Sequence, residues 1–232
     1  MIDRILLLAC CSGLVLLALI SFLLSLEIVP VAGPLFENKI YLLFSVSDER
    51  NLWTWANTVL LASAGQTHVI AGWRRWQSRL PGGAAWFATG AILFALSADD
   101  AAMIHEQFLG PLGATLGAGR GLTHFHWVLP GAFVALAALI IFALHLRTLR
   151  GAAARYAVGG AVSFFGAAVG LEAASGLFLE INAYGPGYVT IYHVEELMEG
   201  IGAALLLVAG IADRPRGERD LSMYAQPNAP PP

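Results

Sequence analysis

Ala84-Ala85-Trp86-Phe87-Ala88-Thr89-Gly90-Ala91-Ile92-Leu93-Phe94-Ala95-Leu96-Ser97-Ala98 runs without a charge and then meets Asp99-Asp100-Ala101-Ala102-Met103-Ile104-His105-Glu106. An uncharged stretch of that length, continued to about 20 residues, has the reach of a helix that crosses a bilayer. Five other stretches read the same way. The sequence predicts six spanning helices near 5–26, 52–72, 84–106, 126–146, 155–179 and 189–211. The expected fold class is all-α, a polytopic membrane helix bundle, with residues 1–212 as one transmembrane domain. The segment 213–232 is charged and then rich in proline, and it is expected to be a disordered cytoplasmic tail.

Composition narrows the class further. Of the 232 residues 57% are hydrophobic and 12% charged, against roughly 25% charged in a soluble domain. A net charge of -3 offers no basic face, so nucleic acid is not expected as a partner. Cys10 and Cys11 are adjacent and cannot staple the fold or build a cysteine-based zinc motif. The first apolar run is too long for a signal peptide and lacks a small-residue cleavage site. Arg4, Arg74, Arg75, Arg79, Arg147, Arg150, Arg155, Arg214, Arg216 and Arg219 fall on one side of the predicted helices. Lys39, Arg50 and Arg120 fall on the other, so both termini are expected in the cytoplasm. The outer loop 27–51 leaves room for a short interfacial helix near 36–44, and the glycine-rich loop 107–125 reads as mobile.

Ionisable residues inside a membrane are costly and mark function by default. Counting 1.5 Å per residue from the cytoplasmic ends puts Asp99 about 22 Å up the third helix, Glu172 about 25 Å up the fifth and Glu199 about 19 Å up the sixth. His126 marks the outer end of the fourth. Helices of opposite direction thus deliver carboxyls and imidazoles to one level, the outer third of the bilayer. On an unbroken third helix, Asp99 and Glu106 project within about 20° of each other. Tyr192, Glu195, Glu196 and Glu199 share an arc of about 100° on the sixth. His193 and Glu196 lie one turn apart, a spacing that di-metal bundles use in the reverse order, Glu-x-x-His.

These residues outline a site made of Asp99, Asp100, His105, Glu106, His126, Glu172, His193, Glu196 and Glu199. Oxygen and imidazole donors suit a divalent metal such as zinc, manganese or iron. A metal-bound water would serve hydrolysis, and a redox metal oxidation, of a lipid or other membrane-soluble substrate, with Glu106 and Glu196 as acid–base groups. His105, His126 and His193 lie toward one side, but so many carboxyls argue against haem as the occupant. Two other readings stand beside this one. The carboxyls could carry protons or cations, or they could be the polar core of an accessory subunit with a partner in a larger membrane complex. His68 and His145, like Trp53, Trp55, Trp73, Trp76, Trp86 and Trp127, fall near helix ends and read as interfacial. Asp48, Glu49, Glu180 and His124 read as solvated loop residues.

Three motifs resemble those of a family of uncharacterised bacterial multi-pass inner-membrane proteins. They are Asp48-Glu49-Arg50-Asn51-Leu52-Trp53-Thr54-Trp55, Asp99-Asp100 with His105-Glu106, and Glu195-Glu196-Leu197-Met198-Glu199-Gly200. The likeness runs from about Asp48 to Gly202. Trp53 stands where the family pattern has proline, and Asp100 where it has glutamate. The resemblance implies a bacterial inner (cytoplasmic) membrane location and a polar centre facing the periplasm, and it brings no activity with it.

Overall fold

The computed structural model describes residues 2–28, 34–35 and 38–213, and every regular element among them is helical. In chain order these are α1 (Ile2–Ser25), α2 (Lys39–Phe44), α3 (Leu52–Gln77), α4 (Gly83–Ala102), α5 (Gly110–Thr115), α6 (Val128–Leu146), α7 (Gly151–Phe165), α8 (Glu172–Asn182) and α9 (Pro186–Ala212). Residues 214–232, expected to form a tail, lie outside the described residues. The short helix expected near 36–44 is present as α2, started by Asn38, whose side chain accepts from the N–H groups of Ile40 and Tyr41.

Three segments are long and apolar enough to cross a membrane: α1, α6 and the stretch Gly151–Asn182. Gly83–Ala102 and His105–Thr115, bent by 80° at their junction, count as a fourth if the pair is one span. α3 and α9 have 26 and 27 residues, about 39–40 Å of helix, but their apolar runs are interrupted by polar side chains. The long helices alternate in direction. At one end Ser25, closing α1, accepts a hydrogen bond from Tyr192 near the start of α9. At the other, Arg4 of α1 and Arg155 of α7 line one pocket. Arg75 near the end of α3 pairs there with Asp213 after α9, at 2.7 Å.

α9 is the central element, packed on α1, α3, α7 and α8, while α3 lies along α4. Close approach comes from glycine. A Cβ on Gly202 of α9 would sit 2.7 Å from the Phe164 backbone nitrogen of α7. A Cβ on Gly90 of α4 would sit 3.0 Å from the Gly65 carbonyl of α3. Such small-residue contacts let backbones meet where lipid supplies no hydrophobic drive between helices. Leu61, Leu93, Phe142, Phe164, Ala203 and Leu206 then fill the middle of the bundle.

Two predicted helices are not regular. The stretch 84–106 stops at Ala102, because Met103 turns left-handed at φ 54 and its N–H caps the Asp99 carbonyl. The Asp99 carboxylate then accepts from the His105 backbone N–H at 2.6 Å, so the side chain of the last turn stabilises the bend. The loop 107–125 is accordingly not an unstructured run. It continues as a π-helical turn (His105–Leu109), α5 and a 3-10 turn (Gly121–Thr123). In the stretch 155–179, a π-helical turn at Gly166–Leu171 separates α7 from α8.

Gly202→Ala should lower the melting temperature in detergent by the equivalent of about 1–3 kcal/mol, the usual range for overpacking. Gly166→Ala, with nothing within 4 Å of the new methyl, should leave it unchanged. Equal melting curves would show that the α7–α9 contact is looser than described.

Candidate functional site

The acidic end gathers carboxyls from four parts of the chain. The loop before α3 supplies Glu49, α4 supplies Asp99 and Asp100, α8 opens with Glu172, and α9 carries Glu195, Glu196 and Glu199. They meet because α3 and α9 run downward from this end while α4 and α8 finish at it. Glu199 lies within electrostatic reach of Glu196, Glu172, Asp100 and Asp99. Glu196 is in reach of Asp100, Glu172 and Glu49.

Most of these groups have a specific donor. The Trp53 indole N–H donates to Glu196 at 2.7 Å, and that of Trp127 to Glu172 at 3.3 Å. The Thr58 hydroxyl donates to Asp100 at 2.8 Å, and the Thr54 hydroxyl to Glu49 at 3.2 Å. Asp99 faces His105 Nδ1 at 3.0 Å, and the Trp127 ring stands edge-on to that imidazole. Glu199 has no such donor among the described hydrogen bonds, and Glu195 is the more deeply buried exception. It is only 3% exposed and meets Glu172 carboxyl to carboxyl, while its Oε2 has no partner. A contact between two carboxyls holds only with a proton between the oxygens. None of the described ion pairs gives a carboxyl of this cluster an arginine or lysine; His105 is its one basic partner.

Residues 7–212 match the family described as a domain of unknown function, DUF8692. The chain belongs to that family. No curated protein and no solved structure matches it.

In this DUF8692 chain, Asp99, Asp100, His105, Glu172, Glu196 and Glu199 come together as a neighbourhood. Three other predicted site residues do not join them in that way. Glu106 follows the bend at Met103 and is exposed, so it no longer shares a face with Asp99, although it stays within electrostatic reach of His105. His126 lies ahead of α6, which starts at Val128, and its exposed ring covers Gly119. His193 turns toward α1: Nδ1 bonds the Val189 carbonyl at 2.7 Å and Nε2 bonds Ser21 Oγ at 3.0 Å. With both nitrogens engaged, it has no lone pair for a metal. Among the described residues no group of three or more His, Cys, Asp or Glu stands close enough to hold a metal ion.

The indoles were not legible as site residues. Trp53 is 2% exposed and Trp127 is half-buried, each with its N–H on a carboxylate, so neither is an interfacial anchor. Trp55, at 65% exposure, does face outward. The i, i+2 alternation of Trp53 and Trp55 was the available clue, since on a helix two such residues face different ways. Glu49 is also not a solvated loop residue. Burial pushes its carboxyl above the usual range for glutamate, with Glu106 and Asp99 adding to the effect and Thr54 and His105 opposing it.

Trp53→Phe should cost about 1–3 kcal/mol by stranding Glu196 without its donor, whereas Trp55→Phe should cost nothing measurable; detergent melting curves compare the two. Glu49 gives a pH test. A glutamate that holds its proton more tightly when folded favours folding at low pH and loses that contribution as pH rises through the folded value. Glu49→Gln should therefore raise the melting temperature at pH 8 and leave it unchanged below pH 4. A fall at pH 8 would mean that the ionised carboxylate is what the fold favours.

Proposed function

We propose that the chain is an inner-membrane protein of six spans, α1, α3, the bent α4–α5 unit, α6, the α7–α8 unit and α9, with both termini cytoplasmic. Its acidic end faces the periplasm, where the carboxyls take up and pass protons or small cations. The observation that carries this reading is Glu195, buried and set carboxyl to carboxyl against Glu172, in a cluster to which none of the described ion pairs gives an arginine or lysine. A group so placed is costly as a fixed structural element, and intramembrane carboxyls facing a bundle interior mark proton and ion pathways. The arginines support the orientation: Arg4, Arg75 and Arg155 lie at the end opposite the carboxyls.

Zinc, manganese or iron, bound for chemistry on a lipid, would need three or more ligands on one point. The described residues supply no such group, so a proton or a loosely held cation suits the donor set better. Below the carboxyls, Asn57 presents a buried, unpartnered Oδ1. The layer of Leu61, Leu93, Phe142 and Leu206 follows, a constriction of the kind that gates by excluding water.

Proteoliposomes holding a pH-sensitive dye, with a potassium gradient and valinomycin to set the voltage, test the reading. The parent protein should acidify the lumen faster than protein-free vesicles. Glu196→Gln should lower that rate at least 10-fold, about 1.4 kcal/mol or more at the limiting step. A parent rate equal to that of empty vesicles overturns the proposal.

A further inference from the structure

At the arginine end lies a second buried polar cluster that the sequence placed at the interface. His68 of α3 and His145 of α6 are both 0% exposed, with ring centroids 5.1 Å apart. Trp86 of α4 packs against each, at 5.1 Å and 4.4 Å, and the Arg75 guanidinium lies over the same indole at 5.1 Å. His68 Nδ1 meets the Ala64 carbonyl at 2.8 Å, which makes Nδ1 the N–H and leaves the lone pair on Nε2. That Nε2 has no partner, and neither does either nitrogen of His145. Interior polar atoms are almost always satisfied. Three open imidazole nitrogens on two facing helices therefore stand available to a proton.

We infer that His68 and His145 form a proton-binding station at the arginine end of the bundle, the inner counterpart of the acidic site. The inference rests on the proton-passing reading above and adds the residues that receive the proton beyond the apolar layer. His145 suits the relay because both its nitrogens are open. A proton arriving at one nitrogen makes an N–H bond there, and the N–H on the other nitrogen breaks as its proton passes to a water molecule at the arginine end. The ring begins and ends neutral. His68, with Nδ1 committed to Ala64, accepts only at Nε2.

The charged groups facing the pair are Arg75 from α3 and Asp213 from beyond α9, which hold each other at 2.7 Å. Asp213 also lines a pocket of about 240 Å³ with Thr67, Arg74 and Gly210. A Cβ on Gly210 would stand 3.0 Å from His68 Nδ1, so this pocket lies directly beside the station. From Glu199 to Gly210 along α9 is 11 residues, about 16 Å of helix, filled by the apolar layer. The two polar sites are thus separate stations, and not one continuous chain of hydrogen bonds.

The same dye-loaded proteoliposomes test the station with four proteins: the parent, Glu196→Gln, His145→Gln and His145→Ala. Glutamine keeps polar atoms in place but cannot exchange one proton for another, so His145→Gln should lower the rate at least 10-fold. Imidazole added to His145→Ala should restore flux in proportion to its neutral form, a response that a purely structural histidine would not give. If Glu196→Gln is slow while His145→Gln runs at the parent rate, the station is wrong and the acidic-site reading stands. A His145→Ala protein that is slow and unmoved by imidazole also overturns the station. If the parent passes no protons at all, the acidic-site reading fails and the station falls with it.

Discussion

The bond from the Trp53 indole to Glu196 ties the two polar helices of the bundle, α3 and α9, at the level where the carboxyls gather. α9 brings three glutamates within five residues into the bundle, one buried and two half-buried. Without fixed donors from other helices those side chains would draw water or neighbouring lipid headgroups into the packing. Trp53 and Trp127 meet this demand with a donor that carries its own large apolar surface. The N–H reaches the carboxylate while the ring seals the space behind it. α3 starts with Asn51 capping Trp53 and Thr54, which sets the direction of the first turn and hence of the indole.

Close glycine packing serves the same end. Because α9 touches α7 through Gly202 and Gly160, and α3 touches α4 through Gly65 and Gly90, the helices that bear carboxyls stand near enough to pool them. Pooling makes the fold costly at this end. Glu195 and Glu172 can remain side by side only by sharing a proton, so the packing of small residues in the middle of the bundle fixes the chemistry at its end.

Proximity was legible in the sequence and direction was not. The count of residues from the arginine-rich ends puts Asp99, Glu172 and Glu199 near one level, and these residues do lie in one neighbourhood. Counting assumes straight helices, however, and that assumption fails at Met103. A single left-handed residue, held by Asp99 accepting from His105 N–H, turns the chain through 80°. Glu106 is carried outward, and no periodicity shows this because the bend is made by a side chain reaching forward six residues. The histidines were misread for another reason. His68, His145 and His193 look alike in sequence, yet their roles follow from what faces them across the bundle, which composition near a helix end does not encode. Trp86 and Trp53 were misplaced by the same habit of assigning aromatics near helix ends to the interface.

The apolar layer between the two polar clusters has an electrical meaning. On either side of it lie polar groups that can reorient, but the side chains of Leu61, Leu93, Phe142 and Leu206 offer only hydrocarbon to polarise. Most of a transmembrane voltage would therefore fall across this thin slab, as it falls across the dielectric of a capacitor. A unit charge driven through the whole drop gains about 2.3 kcal/mol per 100 mV. The shorter the slab, the steeper the field inside it. A bundle with this layout would sense membrane potential through its most featureless part.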